Sequence, residues 1–445
     1  LTGPAIPPAI LKPRKLGLVM CTALVVGNMI GSGVYLLPAS LAPLGWNSIF
    51  GWILTIAGGL CLAFVFASLA REMPRGGGPY AYTRAAFGPA PAFMVSWSYW
   101  IGLWVGNAAI ATAGISYLSV FFPQLATTTG LHAVMTLVII WLLTAVNCRT
   151  ATLAGSVQVV STALKLLPLI AVIILAAIIL GEKGMAAVQP FEVDKIALGP
   201  ITVAATLALW SLLGLESATV PADQVHEPEK TIPRATMVGT ILTGIIYLFV
   251  CTSVILLQAP EQVAASNAPL ADFIASRWGE NAGRALALFA AISVFGALNG
   301  WILVTGELTS AMANDGLFPA FLATRSHRGP PVNALVASSG LLTGVVLLNY
   351  AETLIGLFNF VALLSTTSIL FMYLAVSLAA LKLNASGAIA KSGMLGVIGV
   401  FATAYALWTI YGAGAKPVLW GLALLGAGPP VYFIMKRLGS NPTAP

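Results

Sequence analysis

Apolar residues run through this chain in blocks of about twenty, broken by short polar stretches, from near residue 16 to near residue 436. A helix needs about 20 apolar residues to cross the hydrocarbon layer of a bilayer. Blocks near 16–42, 46–69, 90–122, 131–148, 155–180, 200–222, 235–258, 283–312, 332–349, 353–381, 393–411 and 416–436 meet that length and predict twelve membrane-spanning helices. An even number places both termini on one side. The first block exceeds the roughly 7–15 apolar residues of a cleaved signal and eleven more follow, so it reads as a span.

Positive charge fixes the sidedness. With the N-terminus inside, the inner stretches hold Lys12, Arg14, Lys15, Arg71, Arg75, Arg84, Arg149, Lys230, Arg234, Arg325, Arg328, Lys382, Lys391, Lys436 and Arg437. The outer stretches hold only Lys183, Lys195, Arg277, Arg284 and Lys416. Lys and Arg concentrate in cytoplasmic loops, so both termini are expected in the cytoplasm. Residues 1–15 and 438–445 read as tails.

Composition narrows the class further. Of 445 residues, 58% are apolar and 8% charged, against about 25% charged in a soluble domain. The net charge of +7 sits in short clusters between apolar runs, which argues against nucleic acid as a partner and for the lipid bilayer. Cys21, Cys61, Cys148 and Cys251 lie in or beside apolar segments without CxxC spacing or a neighbouring His, indicating neither a metal site nor a disulfide framework. His132, His226 and His327 fall in apparent loops and read as surface imidazoles. No phosphate-binding loop and no catalytic dyad within a span is visible. Gradient-driven transport is therefore favoured over an ATP-driven pump or an enzyme, and no cofactor is called for.

Two spans are interrupted. The first contains Gly27-Asn28-Met29-Ile30-Gly31-Ser32-Gly33, and the sixth contains Trp210-Ser211-Leu212-Leu213-Gly214-Leu215-Glu216-Ser217. Glycine clusters carry a large helix-propensity cost, and freed backbone groups are tolerated at membrane depth only where they line a cavity. Breaks in corresponding helices of two inverted halves mark a transporter's site. The spacing predicts an all-α integral membrane protein with a LeuT-type core at 16–381, built of five-helix repeats at about 16–180 and 200–381. Helices eleven and twelve, at 382–437, lie outside it. A small-residue packing face is the competing reading of Gly27–Gly33.

Ionisable residues inside spans mark functional sites by default. Glu216 follows the second break and suits proton-linked release or competition with a cationic substrate; the alternative is a structural carboxylate capping broken-helix amides. Lys165 lies deep in the fifth span, too far from either end to snorkel readily to the surface. Glu307, in the eighth span, is expected to take part in gating or proton coupling, and either to pair with Lys165 or to face the cytoplasmic exit.

These residues also carry a likeness. Gly27–Tyr35, the loop Pro74-Arg75-Gly76-Gly77-Gly78-Pro79-Tyr80-Ala81-Tyr82, Tyr99-Trp100, Trp104–Asn107, Trp210–Glu216, Gly300-Trp301 and Asn314–Pro319 resemble the amino acid–polyamine–organocation superfamily. Within it, the basic amino acid/polyamine antiporters are most similar, over about residues 15–437. The resemblance implies a multi-pass protein of a bacterial inner membrane that binds a small amino acid or amine, and relatives that dimerise through late spans imply a homodimer.

It also implies a site. The substrate's α-carboxylate would meet amides at Ser32 and Gly33, beside Asn28, Ile30 and Gly31; its α-amino group would meet carbonyls near Trp210 and Leu213. Trp210 would cover the side chain, Trp301 would wall the far end, and Asn107 would contact the distal group. Tyr99 and Glu216 would act in gating and proton coupling. Lys165 would stand where sodium-coupled relatives bind sodium, implying sodium independence. A membrane-interface role for Trp210 and a merely buried phenol at Tyr99 are the competing readings. In the tenth span, Phe360–Ser365 places Ala or Leu near the antiporters' pocket serine, a departure that, with Lys165, leaves a proton-coupled neutral amino acid permease as the alternative. A non-transporting amino acid sensor is a further one.

Overall fold

The computed structural model describes residues 16–74, 77–149, 155–219, 222, 225–327 and 329–439. The tails at 1–15 and 440–445, Arg75, Gly76 and Arg328 lie outside the described residues, and so do the charges at Lys12, Arg14 and Lys15 that enter the sidedness argument.

The described residues are predominantly helical. The first apolar block forms α1 (Leu18–Met29) and α2 (Gly33–Leu41), separated by three non-helical residues. There follow α3 (Trp46–Glu72), α4 (Gly78–Phe87), α5 (Pro89–Leu118), α6 (Leu131–Asn147), α7 (Gly155–Lys183) and α8 (Leu198–Leu209). The second half contains α9 (Pro228–Leu256), α10 (Pro269–Trp278), α11 (Glu280–Asn314), α12 (Val332–Leu348), α13 (Leu354–Ser386), α14 (Gly393–Gly412), α15 (Ala415–Gly426) and α16 (Gly428–Gly439). Among the described residues, nine helical segments are long and apolar enough to cross a membrane. Three shorter apolar helices, Leu131–Asn147, Leu198–Leu212 and Val332–Leu348, accompany them. The protein is a multi-pass membrane protein.

Several boundaries differ from the sequence expectation. The stretch read as a loop through Tyr82 is already helical from Gly78, where Pro79 takes a first-turn position that needs no N–H donor. The span expected at 235 starts at Pro228, again with proline in the first turn. His132 is not a loop imidazole: α6 begins one residue before it, and the ring is buried at 3% exposure.

Burial orders the bundle. The apolar window of α5 is 94% buried, whereas that of Ala415–Arg437 is 11% buried, so α5 is the central post and the last helices form the rim. α5 packs chiefly against α13 and α11, while α1 packs against α9 and α7, and α3 against α9 and α8. Close approach at the post depends on glycine. A Cβ on Gly102 would lie 2.3 Å from Ile369 Cγ1, and one on Gly106 would lie 3.1 Å from the Trp210 ring. The large apolar side chains of α14 and α15 that remain exposed, such as Val397, Phe401 and Leu419, suit a surface met by lipid rather than water.

Candidate functional site

The first break turns on Ile30, whose backbone (φ −75°, ψ 82°) leaves the helix, and α2 restarts at Gly33. Ending α1 there strands its last carbonyls. Two buried side chains from distant helices take them up: Lys165 Nζ donates to Gly27 O at 2.9 Å, and the Tyr247 hydroxyl donates to Met29 O at 2.7 Å. On the other side of the break, the N-terminus of α2 has no side-chain cap. Its first residues, Ser32 and Gly33, line the gap at the positive end of the helix dipole, an arrangement that suits an anion.

The second break is shaped differently. α8 tightens into a 3-10 turn at Trp210–Leu212, Leu213 is extended, and Gly214 takes a left-handed conformation (φ +103°) that glycine alone adopts without strain. The chain then continues in turns, with Ser217 N–H donating to Gly214 O at 3.0 Å and Thr219 N–H to Glu216 O at 2.8 Å.

The breaks face one another. Trp210 Nε1 donates to Ser32 Oγ at 3.1 Å. A Cβ added to Gly33 would fall 2.0 Å from Ser211 Oγ, and one on Gly214 would lie 3.4 Å from the Asn28 carbonyl carbon. Between them and α5 lies a cavity of about 40 Å³, bounded by the two breaks, by Asn107 and Gly106 of α5, by Trp301 of α11 and by Ser365 of α13.

Its polar equipment is uneven. Glu216 is 1% exposed; its Oε2 accepts from the Tyr373 hydroxyl at 2.6 Å, the Tyr99 hydroxyl and the backbone at Gly214 lie close to the carboxylate, and Oε1 makes no hydrogen bond of normal geometry among the described residues. Asn107 Nδ2 donates to Thr305 Oγ1 at 3.2 Å, and its Oδ1 is likewise unpartnered. The cavity thus offers free amide donors at one end and unsatisfied acceptor oxygens elsewhere, with the Trp210 ring packed beside Gly106.

A family model described as amino acid permease matches residues 16–420. The chain belongs to the amino acid permease family. The permease is 35% identical over 339 residues to the cadaverine/lysine antiporter of Escherichia coli strain K12, a match covering 75% of each chain. It is 30% identical over 425 residues to the putrescine transporter PotE of Haemophilus influenzae, covering 95% of this chain and 97% of the relative. It is 26% identical over 426 residues to the putrescine transporter PotE of Escherichia coli strain K12, covering 95% and 96%. These relatives are transporters, and the amino acid–polyamine–organocation superfamily that the sequence motifs resemble is the one to which the permease belongs.

Of the residues singled out in the sequence, Asn28, Gly31, Ser32, Gly33, Asn107, Trp210, Leu213, Glu216 and Trp301 border the cavity. Ile30 does not; its side chain is fully buried in the core behind the break. Tyr99 stands outside the wall as a close electrostatic neighbour of Glu216. Lys165, 3% exposed, reaches the break through its carbonyl contact.

One of the two alternatives for Glu307 is overturned: it does not pair with Lys165, because α11 turns it toward Arg325, whose Nη2 lies 2.5 Å from Glu307 Oε2 in a half-exposed pair. Ser365, at the end of the tenth-span stretch Phe360–Ser365, lines the wall and donates to Gly102 O at 2.6 Å. Sequence reasoning also missed Gly102, Gly106, Ile110 and Ile369 in the wall, together with Tyr373 as the partner of Glu216. The Gly102–Gly106 spacing of four was the available signal for close helix approach. Nothing local marks Tyr373.

Proposed function

We propose that this protein is a sodium-independent antiporter that exchanges a basic amino acid for an amine or another amino acid by alternating access. The observation that carries the reading is the pairing, in one cavity, of free α2 amides with the unpartnered oxygens Glu216 Oε1 and Asn107 Oδ1. A basic amino acid complements that set: a carboxylate for the amides, and N–H donors for the oxygens. The Trp210 face adds a cation–π attraction of about 1–2 kcal/mol for a desolvated ammonium or guanidinium. Two of the relatives, a cadaverine/lysine antiporter and a putrescine transporter, point to the same cationic class.

The rest of the mechanism belongs to the same proposal. The three shorter apolar helices join the nine longer ones to make twelve spans, and the facing breaks serve as equivalent elements of two inverted repeats. Lys165 fills, as a fixed cation, the role a bound sodium ion would play against the first break, since its ammonium already satisfies Gly27 O. Tyr99, Trp210 and Trp301 gate the cavity, and Glu216 couples release to protons through its contact with Tyr373. Both termini face the cytoplasm of a bacterial inner membrane, and the exposed apolar rim of the last helices meets lipid or a second copy.

Counterflow in proteoliposomes tests this directly. Vesicles loaded with unlabelled lysine or arginine should accumulate the labelled amino acid to the same extent with and without sodium, and should fail to do so when empty. Uptake of alanine or leucine driven by a proton gradient, with no lysine or arginine exchange, would replace the proposal with a neutral permease.

A further inference from the structure

Thr305 lies on α11 one turn beyond Trp301, is 1% exposed and forms no part of the cavity wall. Its hydroxyl donates to Trp301 O at 2.7 Å, and the same oxygen sits 3.2 Å from Asn107 Nδ2. A threonine hydroxyl has one proton and two acceptor sites. With that proton committed to the carbonyl, Oγ1 can only accept from Asn107. The carboxamide must therefore turn its NH2 group toward Thr305 and its oxygen away, however the nearly indistinguishable O and N atoms are assigned.

The next turn holds Thr305 in place. Thr309 Oγ1 donates to Thr305 O at 2.7 Å and accepts from Trp100 Nε1 of α5 at 2.7 Å. Asn107 Oδ1 is buried without a partner among the described residues, and Asn107 borders the cavity. A buried acceptor left unmade is costly, so the site favours a ligand that brings a donor to it.

We infer that Thr305 is a positioning residue that fixes Asn107 with its acceptor toward the substrate and thereby sets the preference for side chains ending in N–H donors over those ending in a carbonyl. This rests on the cationic-substrate function proposed above. Thr305 itself touches no substrate. Without its acceptor, Asn107 is free to rotate by a half-turn and present NH2 instead, which suits a carbonyl-ended ligand.

The experiment is competition against labelled lysine counterflow by arginine and by citrulline, which is similar in shape but carries a carbonyl in place of one terminal nitrogen. The full-length wild type, Thr305→Ser and Thr305→Val are compared. Wild type and Thr305→Ser should prefer arginine equally. Thr305→Val should narrow the arginine-to-citrulline ratio by about tenfold or more, the scale of one hydrogen bond to a charged group, with arginine weakened and citrulline strengthened. In an Asn107→Leu background, Thr305→Val should leave the ratio unchanged. Thr305→Ala replaces the valine variant if valine prevents folding, since it too removes the acceptor.

Equal weakening of both competitors would reduce Thr305 to a packing residue and overturn the inference, as would an unchanged ratio. A wild type that exchanges neutral amino acids in preference to lysine and arginine overturns the proposed function and this inference together. A wild type that prefers cations while Thr305→Val keeps the full ratio overturns this inference alone.

Discussion

The ammonium of Lys165 donates to the carbonyl of Gly27 at 2.9 Å, tying α7 to the last turn of α1 across 138 residues of sequence. Among the described residues it has no carboxylate partner. Lys165 therefore completes the first break, which without it exposes a buried acceptor.

Removing that donor should be felt at the break. Lys165→Met keeps the aliphatic stem but leaves Gly27 O unpaired, a cost of about 1–3 kcal/mol. Counterflow is expected to fall by about tenfold or more, with a lower melting temperature for the purified protein. A variant with wild-type rate and stability would show that the bond is dispensable.

Contact between the breaks makes Gly33 the least tolerant position of the site. A methyl group there would meet Ser211 Oγ at 2.0 Å and its Cβ at 2.9 Å, so Gly33→Ala should abolish exchange. Ser211 Oγ has no hydrogen-bond partner among the described residues, so Ser211→Gly alone should be mild. The double variant, which removes both clashing atoms, should recover a measurable fraction of transport. Failure of any recovery in a folded double variant would place the defect elsewhere.

Glu216 brings a carboxylate to the cavity wall, and under the proposed function it is the group that a cationic substrate would meet. Glu216→Gln preserves shape but replaces a charge-assisted bond with a weaker neutral one. Half-maximal concentrations for lysine and arginine should rise by about tenfold, while competition by neutral amino acids changes little. A parallel loss for both classes would point to a structural carboxylate.

Glu307 should matter far less than its position within an apolar block suggests. Its pair with Arg325 is half exposed, and exposed pairs contribute about 0–1 kcal/mol. Glu307→Gln is expected to keep the exchange rate within about twofold of wild type. Its effect should add to that of Lys165→Met without coupling, as for sites that share no partner. A coupling energy well above the error of a double-mutant cycle would contradict the geometry.

Much of this protein follows from the sequence alone. Hydrophobicity is a local sum over about twenty residues, so the apolar helices of a multi-pass membrane protein could be located without any knowledge of their neighbours. Gly27–Gly33 and Trp210–Ser217 carry their helix-breaking cost within a few residues, so the positions of the breaks were equally legible, and with them Ser32, Gly33, Trp210 and Glu216. What remained hidden depends on the rotation of one helix against another far along the chain. The cost of a charge inside a span offered Lys165 or the cytoplasmic exit for Glu307; the rotation of α11 points it to Arg325, and Lys165 instead finds a carbonyl of α1. Ser365 entered the cavity, Ile30 left it, and Tyr373 reached Glu216 for the same reason. The orientation of Asn107 was set by Thr305, 198 residues later. A side chain's polarity toward a ligand is decided by which of its atoms are already engaged, and only the assembled helices supply those partners.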